Sequence, residues 1–197
     1  VRRVAVIGGS CTGKTTTSRE LAALLGVPHV ELDALHHDAG WQEAPAEVLQ
    51  ARVDAALDAA PGGWVADGKY HGKIGTSVLA RADTVVFLDL PFWVALRRVI
   101  WRTLSRIVRR EELWNGNRES LRLALSRESI VWWVVTHHGE YRETWPPRYE
   151  ALPHLEVVRL HSPHEVQVWL QSIQATESMS GSSNGSERQK TPPSAET

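Results

Sequence analysis

Short apolar runs alternate with longer mixed stretches over most of this chain. Val4 to Ile7, His29 to Leu32, Trp64 to Ala66, Thr84 to Asp89 and Leu155 to Leu160 are the strand candidates. Helices are expected over Lys14 to Leu25, Ala46 to Ala59, Phe92 to Arg109, Arg118 to His137 and Pro163 to Ile173. Strands separated by helices predict a parallel sheet covered on both faces. In "TVVFLDL" apolar residues occupy both faces of the strand, as a buried parallel strand requires. From Ala175 onward the chain is Ser, Thr, Gly and Pro with almost nothing to bury, so residues 1–174 are expected as one domain and 175–197 as a disordered tail. There is no internal repeat.

Composition narrows the class. A length of 197 residues suits one domain, and 42% hydrophobic content is enough for a sizeable core. The net charge of −1 offers no global basic field for nucleic acid or an anionic membrane. The single cysteine, Cys11, excludes an internal disulfide framework and fits a reducing compartment. The first apolar run is too short for a secretory signal, and "IVWWVV" (Ile130 to Val135) is far below the roughly 18 residues of a membrane span. A soluble, cytoplasmic protein is expected, with neither nucleic acid nor membrane as partner.

The segment "AVIGGSCTGKTTTSREL" carries the strongest chemical signal. Gly8, Gly13, Lys14 and Thr15 fit G-x-x-x-x-G-K-[ST], between a strand and a helix. Glycines let backbone N–H groups turn inward around a phosphate, and the helix beginning near Lys14 points its positive end at the same place. Lys14 would reach the outer phosphates and Thr15 would ligate magnesium. Gly8, Gly9, Ser10, Cys11, Thr12, Gly13, Lys14, Thr15 and Thr16 are therefore the candidate ATP-binding residues. Cys11 reads either as a small filler or as a redox-sensing thiol. No guanine-reading N-K-x-D occurs, and the chain is short for a motor or AAA module. A compact kinase remains.

Five stretches carry a family resemblance: "VELDALHHDAGW", "WVADGKY", "ADTVVFLDLP", "LRRVIWRTLSR" and "REELWNGNRES". From Val4 to about Leu170 the chain resembles the adenylate-kinase-like P-loop proteins of the bacterial topology modulation family, although Lys69 stands where that family often has Asn. The resemblance implies a three-layer P-loop NTPase fold with a five-stranded parallel sheet in the order 2-3-1-4-5 and a helical lid. It is more distantly similar to nucleoside monophosphate kinases. On that pattern Asp67, in Asp67-Gly68, would hold magnesium through water, Arg98 would lie against the base and Arg102 would clamp phosphates. The four-residue separation of Arg98 and Arg102 puts both on one helix face, where a solvated surface is the alternative. Asp89 competes with Asp67 for the magnesium side, and Asp67 is preferred for its Asp-Gly context.

At the end of the second strand, Asp33 is expected to face the acceptor and to orient or deprotonate its hydroxyl, or else to serve as a helix cap. His36 and His37 follow in the same stretch without metal-ligand spacing. Trp41 either stacks on a planar substrate or packs in the core. "RREELWNGNRESLR" is the lid candidate, about 109–122, in which Arg118 first and Arg110 second would close on the transferring phosphate. Alternatively these arginines and their neighbours Arg109 and Arg122 pair with Glu111, Glu112 and Glu119. His137 and His138 read as a pair capping a helix end. The expected activity is magnesium-ATP-dependent transfer of the γ-phosphoryl group to a small acceptor, foremost a nucleotide monophosphate. A sugar, antibiotic or shikimate-like hydroxyl is the alternative, as is an ATP-binding regulator without productive transfer.

Overall fold

The computed structural model describes residues 1–68, 70–109, 112, 115, 129–144, 149 and 151–186. Lys69, Arg110, Glu111, Arg118, Glu119 and Arg122, and with them most of the lid candidate, lie outside the described residues. In chain order the elements are β1 (Arg3–Gly8), α1 (Lys14–Leu25), β2 (His29–Glu31), α2 (Leu32–His36), β3 (His37–Asp38), β4 (Gln42–Glu43), α3 (Ala46–Asp58), β5 (Trp64–Asp67), α4 (His71–Ile74), α5 (Ser77–Arg81), β6 (Thr84–Leu88), α6 (Phe92–Arg109), α7 (Ile130–Thr144), β7 (Glu156–Leu160) and α8 (Pro163–Ser186).

Five strands form one parallel sheet in the order β2-β5-β1-β6-β7. With the small β3–β4 hairpin set aside, this is the 2-3-1-4-5 order expected. The reason is visible in β1, which is buried on both sides. Ala5 and Ile7 join Leu49, Val53, Leu57 and Phe87 in one core layer. Val4 and Val6 join Leu21, Leu25, Leu88, Val166 and Leu170 in the other. Period-2 alternation therefore feeds two cores, one under α3 and α5, the other under α1 and α8. A third cluster, around Ala95, Val99 and Val134, packs α6 on α7.

The sequence reading differs from the structure in three places. The segment after β2 is a short helix and a two-stranded antiparallel hairpin rather than a loop, because pieces of five and two residues are too short to show a period. The last helix continues to Ser186, past the end expected at Ile173. Within that extension Glu177 pairs with Arg2 at 3.6 Å. Finally, α7 runs to Thr144, so His137 and His138 lie inside the helix and not at its end. Among the described residues no helix is long and apolar enough to cross a membrane.

Candidate functional site

In an all-parallel sheet, ligand crevices open beyond the carboxyl ends of the strands. The P-loop residues leave β1 there and enter α1. Gly13 caps α1 at φ 100°, a left-handed conformation that a side chain would strain, and a Cβ on it would lie 3.2 Å from Arg98 Nη1. The loop is knitted by its own groups. Thr12 Oγ1 donates to the Gly9 carbonyl at 2.9 Å, Lys14 Nζ donates to the same carbonyl at 2.9 Å, and the Thr17 N–H donates to the Gly13 carbonyl at 3.0 Å. Cys11 holds φ 60° and packs partly buried against the α6–α7 cluster, with Phe92, Leu96 and Val131 nearby.

Four of the expected site residues converge on this loop. Burial pushes the Lys14 ammonium down from its ordinary pKa, Asp33 and Asp67 oppose that shift, and Arg102 adds to it. Asp33, Asp67 and Arg102 therefore stand within electrostatic reach of Lys14. Arg98 Nη1 donates to the Thr12 carbonyl at 2.9 Å, which docks α6 on the loop. One turn on, the Nε of Arg102 is buried with no hydrogen-bond partner among the described residues. An orphaned cationic donor next to a glycine-rich loop suits a phosphate oxygen. The pair therefore faces the loop and is not a solvated surface.

The two candidate magnesium-side carboxylates have different surroundings. Asp89 is fully buried and engaged from β7: Arg159 Nε and Nη2 donate to its Oδ2 at 3.0 and 2.7 Å, and His161 Nδ1 lies 3.2 Å away. Asp67 ends β5 beside Val6 and has one oxygen, Oδ1, 3.0 Å from His29 Nε2. Its neighbour Gly68 explains the Asp-Gly pair. Gly68 sits at φ 127°, and a Cβ there would come within 2.8 Å of the Leu32 Cβ. Only glycine lets the start of α2 close over β5. Thr15 and Asp67 are the described residues that could hold a magnesium ion. No group of three His, Cys, Asp or Glu side chains converges among the described residues, so most of its ligands would be phosphate oxygens and water.

That close approach positions Asp33. It does not end β2, which stops at Glu31, but lies in the first turn of α2. Its Oδ1 accepts a 2.5 Å hydrogen bond from the Tyr70 hydroxyl. Burial and the Asp33 charge push the Tyr70 pKa far above its ordinary value, so the phenol is a donor at any working pH. Beyond Asp33, His36 is buried, its pKa lowered by burial and by Lys73. Lys73 Nζ donates to Glu43 Oε2 at 2.7 Å, and Arg52 pairs with Asp38 at 3.0 Å. Trp41, at φ 59° in the tip of the hairpin, is half-buried, belongs to neither core layer and packs edge-on against His37 at 5.7 Å. From the lid candidate, the Asn115 side-chain amide donates to the His37 carbonyl, and Asn115 holds a left-handed φ of 56°.

Tyr70 and His29 carry no site role in the sequence reading, because they are single residues with no spacing to mark them. His138 is buried, its ring 5.5 Å from Phe92, and its Nδ1 is 3.8 Å from where a Cβ on Gly9 would stand. It packs behind the phosphate loop, because α7 lies along α6.

No protein-family model and no curated protein sequence matches the chain. Solved structures do. The shikimate kinase from Acinetobacter baumannii, in complex with shikimate, superposes with a TM-score of 0.54 at 15% identity, covering 90% of this chain and 94% of that one. The shikimate kinase from Bacteroides thetaiotaomicron gives a TM-score of 0.51 at 14% identity, covering 89% of this chain and 97% of that one. At such identities the likeness establishes the fold alone: a five-stranded parallel sheet with helices on both faces.

Proposed function

We propose that the chain is an ATP-dependent kinase that phosphorylates a hydroxyl group of a small molecule that is not a nucleotide. The observation that carries this reading is the Asp33–Tyr70 pair at the same crevice as Lys14 and Arg102. A carboxylate fixed opposite a phosphate loop is what an acceptor hydroxyl needs as its proton acceptor.

The division of labour follows from the geometry. The loop Gly8–Thr16 and Arg98 bind the triphosphate. Lys14 and Arg102 hold charge that grows on the phosphoryl oxygens during transfer. Asp33, steadied by Tyr70, takes the proton from the acceptor hydroxyl as its oxygen bonds to the γ-phosphorus and the bond to the β-phosphate oxygen breaks, releasing ADP. Bound magnesium would neutralise phosphate charge, with Thr15 and Asp67 as its protein-side partners. Asp67 suits that role better than Asp89, which Arg159 already neutralises. Arg110 and Arg118 remain the proposed lid cations.

The nucleotide monophosphate acceptor, first choice from the motifs, is supported less well. A monophosphate needs cations on the acceptor side. The described cations there are committed, Lys73 to Glu43 and Arg52 to Asp38. A polyhydroxylated acceptor needs only hydrogen bonds, and the shikimate kinase likeness of the fold fits the same class. The topology modulation resemblance is compatible with it.

The test is ADP release from magnesium-ATP across a panel of sugars, cyclitols, shikimate, aminoglycosides and nucleoside monophosphates. Stimulation by a non-nucleotide hydroxyl compound, abolished in Asp33→Asn, is the expected result. Preference for a monophosphate overturns the acceptor assignment. ATP binding with no acceptor-stimulated turnover favours a nucleotide-dependent regulator.

A further inference from the structure

Helix α6 carries three kinds of surface. Ala95, Val99 and Thr103 are buried against the body, and Arg98 and Arg102 face the phosphate loop. The third face is apolar and lies in solvent: Trp93 and Trp101 are each 74% exposed, Val108 81%, Leu104 50% and Ile100 42%. At 100° per residue these five positions and exposed Arg97 share an arc of about 100°. Isolated exposed hydrophobics need no explanation, but a contiguous row with two tryptophans does.

We propose that this arc is the contact by which two copies of the chain associate, the two α6 helices packing antiparallel about a two-fold axis. The spacing supports a second copy as occupant. Positions 93, 97, 100, 101, 104 and 108 map onto themselves when the helix is reversed about the midpoint between 100 and 101. A two-fold contact requires such self-complementarity. Ile100 then lies level with the second copy's Trp101 on either side of the axis, Trp93 with its Val108, and Arg97 with its Leu104.

The area is of the right order. A tryptophan contributes roughly 150–250 Å² on burial, so two at 74% exposure with the three aliphatic residues present on the order of 600 Å² per copy. A standard interface takes about 800 Å² from each partner, and the flanking arginine stems can supply the remainder. A lipid surface fits less well. Arg97 lies in the middle of the arc, whereas an interfacial helix keeps its cations on the opposite, polar face. The contact does not depend on the proposed reaction, although the same helix carries Arg98 and Arg102.

Sedimentation velocity from about 1 to about 100 µM should show the full chain passing from monomer to dimer. Trp101→Glu should remain monomeric throughout with an unchanged circular dichroism spectrum, while Val168→Glu, on the exposed face of α8, should still dimerise. A second measurement reads the register and survives any loss of folding in Trp101→Glu. In a Cys11→Ser background, Ile100→Cys should form an intermolecular disulfide under mild copper-phenanthroline oxidation. Val108→Cys should not, because the two copies of position 108 stand about 22 Å apart along the helix axis. A wild-type chain that is monomeric at about 100 µM overturns the proposal. So do a dimer that survives Trp101→Glu and equal cross-linking at positions 100 and 108. Co-sedimentation of monomer with phosphatidylserine vesicles, lost in Trp101→Glu, would assign the arc to lipid and overturn it as well.

Discussion

Contacts in the phosphate loop are nearly all local: Lys14 and Thr12 reach the Gly9 carbonyl across five and three residues. On the proposed acceptor side the contacts join distant parts of the chain, Tyr70 to Asp33 across 37 residues, Lys73 to Glu43 across 30 and Asn115 to His37 across 78. The loop is a backbone structure set by its glycines and by the first turn of α1. The acceptor rim is a side-chain network on short elements that α3, β5 and Gly68 bring together. A loop of the first kind serves any phosphate donor, whereas a network of the second kind can be retuned one side chain at a time. Donor chemistry should therefore respond to substitutions near residue 14, and acceptor choice to those around Asp33 and Tyr70.

Lys14→Ala should have the largest effect, lowering turnover at least about a hundredfold with the melting temperature nearly unchanged. Steady-state ADP release and a thermal melt measure both, and near wild-type turnover would remove the loop from the chemistry. Asp33→Asn comes next. Acceptor-dependent transfer should fall by roughly 10² or more, while ATP affinity measured without acceptor stays within about twofold. Asp67→Asn should instead raise the magnesium concentration needed for half-maximal rate. Identical profiles for the two variants would erase the division between donor and acceptor sides.

Tyr70→Phe removes one hydrogen bond to a charged group but keeps the ring. A fall in kcat of about tenfold is expected, with KM for ATP unaffected. An equal effect on ATP binding would place Tyr70 on the donor side. The smallest effect concerns pH. The His36 pKa is lowered in the folded protein, so below about pH 6.5 the unfolded chain binds more protons than the native one. Its contribution to stability is complete above that pH and is lost as the pH falls. Urea unfolding at pH 7, 6 and 5 should show this decline, and His36→Gln should flatten it by at most about 1.4 kcal/mol per pH unit. An unchanged slope would mean that other groups govern the acid side.

Much of the architecture was legible before any coordinates. The β1 and β6 runs, with apolar residues on both faces, could only be interior parallel strands, and G-x-x-x-x-G-K-T needs no partner beyond its own strand and helix. Arg98 and Arg102 are singled out by the resemblance to nucleoside monophosphate kinases, and their four-residue separation agrees with one helix face. Asp33 is singled out by its place after β2, but its helical setting is not, since a five-residue helix leaves no period to read.

The sequence by itself determined the strands, the phosphate loop and the shared helix face of Arg98 and Arg102, because each depends on neighbours within a few residues. Only the tertiary structure decided the partner of each carboxylate, since Arg159 arrives at Asp89 from β7, His29 at Asp67 from β2 and Tyr70 at Asp33 from beyond β5. The same holds for His138 behind Gly9 and for the exposed tryptophans of α6. Burial and ion pairing are set by whichever element packs alongside, and that element can come from anywhere in the chain.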